Sequence, residues 1–260
     1  MEPFVGHVPS SRLRFSHRKL ANLHPAEIAD LVEAASHEEG EELIEAVGYD
    51  RELEADVFEE LDEHHQLEFI RERPDQQVAA VIGRMATDDA ADLIVEIEQD
   101  RRARILALLP AAQRRQIEAL LGYNPSTAGG LMSPDFIAVN AGETVALALE
   151  KLRASDLPAG TLSTVFLLDG EGHLAGAAFV VELLRGEPSR PLEEIAEREP
   201  VSVATDADLP EVARMMTDYN LVMLPVLDVE GRMVGVVTVD DVLELTLPSG
   251  WRRRFGLARD

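Results

Sequence analysis

One block of this chain is written twice, and the duplication restricts the fold more than any other feature. Leu167-Leu168-Asp169, Gly172 and Gly176 return as Val226-Leu227-Asp228, Gly231 and Gly235, each 59 positions later. Phe166 opens the first copy, and Ile137-Ala138-Val139 has its counterpart in Val201-Ser202-Val203. In both copies an Asp-x-x-Gly step separates two β-rich apolar runs, which predicts a hairpin: the Asp bonds the backbone ahead of it and the Gly supplies a positive φ. The first copy's β runs are Phe136 to Val139, Val165 to Leu168 and Ala175 to Val180, with Val145 to Leu152 as a helical run among them. A hairpin-plus-helix unit of roughly 60 residues cannot bury both faces of its small sheet alone, so the two copies are expected to share a core.

The preceding half has a different period. From Leu23 to about Leu121 apolar residues fall at helical three-and-four spacing, as in Ile28, Leu31, Val32 and then Leu43, Ile44, Val47. Pro25 and Pro74 stand where helices would begin, and Gly40, Gly48 and Gly122 where they would end. Ala29-Asp30-Leu31-Val32 returns as Ala91-Asp92-Leu93-Ile94, 62 residues on, which reads as a superhelical stack of helical hairpins. Asn124-Pro125-Ser126-Thr127-Ala128-Gly129-Gly130 is turn chemistry and marks a boundary. The expected organisation is a linker-like segment 1–22, a helical domain 23–123, an α+β repeat pair 124–248 divided at about 186/187, and a basic tail 249–260.

Composition removes several function classes. Cysteine is absent, so thiolate metal sites, disulfides and cysteine nucleophiles are excluded. The net charge is −25, with 25 acids against 7 bases in residues 24–110 and 21 against 7 in residues 124–248. Nucleic acid is therefore not an expected partner, because its binding rests on Lys and Arg neutralising phosphates. No apolar run approaches the roughly 20 residues of a membrane span; the best, Leu174 to Val181, stops at Glu182. Met1 to Lys19 lacks the apolar stretch of a secretory signal, and a cytoplasmic location is expected. Neither a phosphate-binding glycine loop nor a nucleophile elbow is present, so no enzymatic activity is expected. His64-His65 cannot both face one metal on a helix and reads as solvated surface. Asp169-Gly170-Glu171-Gly172 lacks the other ligands of a calcium loop and is explained as a hairpin. Trp251 beside Arg252-Arg253-Arg254 reads as a frayed tail.

Two carboxylate clusters stand out. Asp88 and Asp92 are spaced i, i+4 with Asp89 between them, and the same kind of face recurs at Asp240, Asp241 and Glu244. Like charges at this spacing repel by a few tenths of a kcal/mol per pair, which a cation would relieve. Acids in a helix's first turn also complement its dipole, with Thr87 or Thr238 as N-cap, and that accounts for Asp88, Asp89, Asp240 and Asp241 without a metal. Capping and cation binding both remain open from these residues alone.

The sequence resembles a known family at several points. Leu131-Met132-Ser133-Pro134 leading into the duplicated unit looks like a tandem CBS pair. Tyr123, Ala128-Gly129-Gly130-Leu131-Met132-Ser133-Pro134, Leu224-Pro225-Val226 and Gly235-Val236-Val237-Thr238-Val239-Asp240-Asp241-Val242-Leu243 are similar to the cytosolic half of MgtE-type magnesium transporters. The resemblance spans roughly residues 23–246. It implies an all-α superhelical N-terminal domain followed by an α+β tandem CBS pair, acting as a regulatory module that closes on Mg2+. The magnesium ligands it implies are Asp56, Asp88, Asp89, Asp92, Asp240, Asp241 and Glu244, whereas Asn220 replaces a family acid. It further implies a homodimer through the CBS pairs, and either an upstream PRC-barrel-type domain or a separate protein partner. Where the transporters continue into a connecting helix and channel, this sequence has Pro248 and Gly250, which would break that helix. For an adenine nucleotide the resemblance offers Thr238, Asp241 and Glu182, but the first repeat has Phe179 in place of a hydroxyl. Thr164, Val181 and Leu221 stand where the family has an aromatic ring or an Arg against ATP. A structural superhelical adaptor is the third reading.

Overall fold

The computed structural model describes residues 20–157 and 161–246. Expectations placed on residues 1–19 and on the tail with Pro248, Gly250, Trp251 and Arg252 to Arg254 lie outside the described residues. The chain divides into two compact units, the first ending at Arg73 and the second beginning at Pro74.

The first unit is built of α1 (Pro25–Ala34), α2 (His37–Val47), α3 (Arg51–Glu60) and α4 (Glu63–Arg71). Each start is fixed by a side chain that satisfies the first free N–H groups: His24 and Ser36 in capping boxes with Glu27 and Glu39, then Asp50 and Asp62. Pro25 occupies the first helical turn as expected, and Gly48 ends α2. Gly40 does not end a helix; it lies inside α2, where a Cβ would meet Phe69 Cζ at 2.9 Å. Its missing side chain lets an aromatic ring approach, a requirement that local spacing cannot distinguish from a stop. Ile28, Val32, Leu43, Ile44, Val47 and Phe58 form the buried stripe. Buried Glu54 is held by Arg51 at 2.7 Å and Arg73 at 2.9 Å, and the Arg73 guanidinium lies 5.1 Å from the Phe58 ring centroid.

The second unit opens with α5 (Asp75–Ile82), α6 (Thr87–Glu96), α7 (Gln99–Leu108), α8 (Ala111–Leu120) and the short α9 (Ala128–Leu131). Pro74 precedes α5 as its N-cap rather than standing inside it. The repeats follow: β1 (Ile137–Asn140), α10 (Val145–Ala154), β2 (Thr164–Leu168), β3 (Leu174–Phe179) and α11 (Val180–Arg185), then β4 (Val203–Ala204), α12 (Leu209–Tyr219), β5 (Met223–Leu227), β6 (Met233–Thr238) and α13 (Val239–Thr246). Each sheet has three strands, in the orders β1-β2-β3 and β4-β5-β6, with the first pair parallel and the second antiparallel. Of Val201-Ser202-Val203 only Val203 enters its strand.

Both hairpins form as the Asp-x-x-Gly steps predict. Asp169 Oδ1 accepts from the N–H groups of Glu171 and His173, Asp228 Oδ1 from those of Glu230 and Arg232, and Gly172 and Gly231 have φ of 90° and 80°. The tips meet, Met233 N–H donating to Gly172 C=O at 3.1 Å. Phe166, Met223, Met233 and Val236 pack in one buried cluster drawn from both sheets, so the copies do share a core. The repeated glycines Gly176 and Gly235 permit a second backbone to approach: a Cβ would lie 3.0 Å from Glu197 C=O at one and 2.7 Å from Ser133 C=O at the other. Among the described residues no helix is long and apolar enough to cross a membrane.

Candidate functional site: an acidic cluster between two helices

Residues 127–135 fasten the start of the repeat pair and carry the site. Ala128 N–H donates to Ala207 C=O and Gly129 N–H to Thr205 C=O, while Ser133 exchanges backbone bonds of 2.8 and 2.9 Å with Val236 of β6. A Cβ at Gly129 would stand 2.6 Å from Tyr123 Cδ1, so the glycine is demanded by this close approach. Ser133 and Asp135 are thereby presented to α6.

At α6 the expected cap is corrected. Ala86, without a side-chain bond, takes the N-cap position, and buried Thr87 is the first helical residue. Its hydroxyl donates to Asp135 Oδ2 at 2.7 Å, while Ser133 Oγ donates to Asp88 Oδ1 at 3.0 Å. A threonine that looks like a cap in sequence serves a partner 48 residues away. At the other end of α6, the Arg102 guanidinium donates to the carbonyls of Val95 and Ile97.

At α13 the expected cap is present. Thr238 Oγ1 and N–H both donate to Asp241 Oδ2, at 2.6 and 3.0 Å, and Asp241 N–H reaches back to Thr238 Oγ1 at 3.5 Å. This reciprocal box satisfies the helix start with the same carboxylate that the sequence nominates as a ligand.

Burial and mutual repulsion draw α6 and α13 into one electrostatic group. Burial, then the charge of Asp241, pushes the Asp88 carboxyl up to about 6, against the stabilising bond from Ser133. Asp92 still reaches solvent, yet protein crowds it, and that crowding followed by the charges of Glu244 and Asp241 brings it to about 6 as well. Asp241 is raised by burial, with Asp240 and Glu244 adding to the effect and the Thr238 bonds opposing it. No Lys, Arg or His among the described residues pairs with Asp88, Asp92 or Asp241. Desolvated carboxylates facing one another without a counter-charge are held at an electrostatic cost that a dication would remove. Asp89 lies beside Asp88 in the first turn of α6, and Asp240 is exposed in the first turn of α13.

The remaining nominated residues are elsewhere. Asp56 is on the exposed side of α3 in the first unit, its carboxyl raised by partial burial and by Glu52 and Asp50. Glu182 is exposed in the first turn of α11. Among the described residues, the three potential ligands whose donor atoms lie within 4.8 Å of one another are Glu33, Asp62 and His65, all in the first unit. Sequence spacing places one of these three, His65, on the solvated surface. The structure corrects this: its side chain is 21% exposed, and its Nδ1 lies 2.7 Å from Asp62 Oδ1. Nothing in helical spacing relates it to Glu33, from another helix.

Comparison with known proteins gives these features a context. The family described as the MgtE intracellular N domain matches residues 23–126, and the CBS domain family matches residues 192–247. The magnesium transporter MgtE of Thermus thermophilus is 36% identical over 194 residues, covering 74% of this chain and 43% of the transporter. The chain thus spans less than half the length of the curated magnesium transporters it matches. The crystal structure of the cytosolic domain of the Mg2+ channel MgtE in complex with ATP aligns with a TM-score of 0.82 at 32% identity, covering 88% of this chain and 93% of that one. The soluble part of a magnesium transporter aligns with a TM-score of 0.80 at 27% identity, covering 88% and 90%.

Proposed function

Because the chain belongs to the family of MgtE-type magnesium transporters, as their N domain and CBS pair, we propose that it is a regulatory module that senses Mg2+ through the acids of α6 and α13. The observation that carries the proposal is that the charge of Asp241 raises the proton affinity of Asp88, that Glu244 and Asp241 raise that of Asp92, and that Glu244 raises that of Asp241. Asp88, Asp92 and Asp241 have no basic partner among the described residues. Asp89 and Asp240 extend the same surface, and for Asp56, in the first unit, the family resemblance supports a separate proposal of Mg2+ binding.

The mechanism is electrostatic. Like charges on α6 and α13 repel, the more strongly the lower the local dielectric, so the bare helices favour separation. Mg2+ reverses the sign, and because it takes only one or two direct carboxylates and keeps its waters, binding is weak enough to follow the free cation. The Thr87–Asp135 and Ser133–Asp88 bonds keep α6 registered against the repeat pair while the charges are screened. Differential affinity for the closed arrangement then shifts the population toward it. Exposed Val181, Leu184, Leu243 and Leu245 on α11 and α13 support the further proposal of a CBS-mediated homodimer. A cytoplasmic location and a regulatory rather than catalytic output follow from the same reading. Hydrogen exchange of residues 87–96 and 239–246 tests it: Mg2+ should protect both segments relative to EDTA, and Asp92→Asn with Asp241→Asn should abolish the difference. Equal protection in the double variant would refute it.

An adenine nucleotide at Thr238 and Asp241 is the second reading, favoured by the ATP-bound relative. It requires those two side chains to exchange their mutual 2.6 Å bond for ligand contacts. Stabilisation by ATP, ADP or AMP that Thr238→Ala removes would support it, and a flat response to all three would dismiss it.

A further inference from the structure

We propose that Glu33, Asp62 and His65 form a binding site for a first-row divalent transition-metal ion, with chemistry unlike that of the acidic group on α6 and α13. Glu33 stands in the last turn of α1, Asp62 is the N-cap of α4 and His65 lies in the first turn of α4, so the set is drawn from two helices. Their donor atoms already lie within 4.8 Å of one another. A tetrahedral Zn2+ with ligands at about 2.0–2.2 Å has donor–donor separations of roughly 3.3–3.6 Å, so closure needs movements on the order of an ångström.

Capping explains only part of this arrangement. Asp62 Oδ1 accepts from His65 N–H at 2.9 Å, which suffices as a cap. In an ordinary capping box the third helical residue would also bond the N-cap N–H. Here that residue is His65, whose ring instead meets the Asp62 carboxylate, and Glu33 takes the Asp62 N–H at 2.8 Å from a different helix. Two carboxylates and a single imidazole therefore converge, with no Lys or Arg pairing with either carboxylate among the described residues. Each carboxylate keeps a second oxygen for a metal. The ring is set in place by Phe69, stacked at 6.4 Å. One imidazole nitrogen with two carboxylates suits Zn2+, Mn2+ or Co2+, whereas an all-oxygen set suits Mg2+.

The proposal does not rest on the magnesium reading, and its test separates the two. The full chain is titrated calorimetrically with Zn2+ in saturating Mg2+. His65→Gln retains a residue that supports a capping box, and Glu33→Gln retains an acceptor for the Asp62 N–H, so both preserve the helix start. His37→Gln serves as control, since His37 lies near Glu41 and Glu68 in the same unit. The expected result is one equivalent of Zn2+ bound by the parent chain, weakened at least tenfold in each of the first two variants and unchanged in the control. Parent affinity retained in either variant, or no Zn2+ binding by the parent, overturns the proposal.

Discussion

Replacing Asp88 by Asn removes one negative charge from the α6–α13 group while leaving an amide oxygen to accept from Ser133 Oγ, 3.0 Å away. The folded-state carboxyl titrates at about 6 against an ordinary 3.8, so the folded protein binds this proton more tightly than the unfolded chain does. Stability from this group is therefore highest below the unfolded value. It falls as pH rises from about 4 to about 6, and above that the penalty is fully present. A displacement of two pKa units corresponds to about 3 kcal/mol at most, and partial solvent access reduces this to roughly 1–2 kcal/mol. Asp88→Asn should accordingly stabilise the metal-free chain at pH 7.5 by that amount, raising Tm by about 3–6 °C. Near pH 4 the gain should vanish, because the parent carboxyl is then already protonated. Thermal unfolding in EDTA at the two pH values measures this directly. The opposing effect is the helix dipole, which favours an acid in the first turn by about 0.3–1 kcal/mol. If Asp88→Asn lowers Tm at pH 7.5, the helix dipole outweighs the repulsion, and the α6–α13 acids are not held at an electrostatic cost.

Two further perturbations probe the frame around the site. Gly129→Ala would force a Cβ to within 2.6 Å of Tyr123 Cδ1 and 2.9 Å of Thr205 C=O, and should cost roughly 1–3 kcal/mol in urea unfolding; an unchanged midpoint would mean the close approach relaxes freely. Thr238→Ala removes half of the reciprocal cap on α13 and should cost about 1 kcal/mol by the same assay. No loss would mean that the Asp241 bonds contribute nothing to the helix start.

Much of the repeat pair was legible because its signals are local. Asp169 to Gly172 and Asp228 to Gly231 each close a hairpin within four residues, so side-chain bond and positive φ are both encoded where they act. Gly40 and Thr87 were misread for the complementary reason: each serves a partner far away in sequence, Phe69 for the one and Asp135 for the other. The acids of α6 and α13 were nominated from their spacing and from resemblance, but spacing could not reveal that Asp88 is pressed into protein and bonded by Ser133. The Glu33–Asp62–His65 grouping had no sequence signature, since its members come from two helices 29 residues apart. Helical periodicity likewise contains nothing about α6 packing with the repeats, which depends on bonds spanning 45 and 48 residues.

Thermal unfolding in EDTA and across about 0.1–20 mM Mg2+, with K+ at matched ionic strength, for the parent chain and for Asp88→Ala and Asp241→Ala, separates a bound cation from screening. A cation that binds only the folded state raises stability by mass action, whereas screening responds to any salt. A magnesium-selective rise in Tm that both substitutions abolish is expected. Equal rises in K+ and Mg2+, unchanged by either substitution, would contradict it and return these acids to the roles of caps and surface charge.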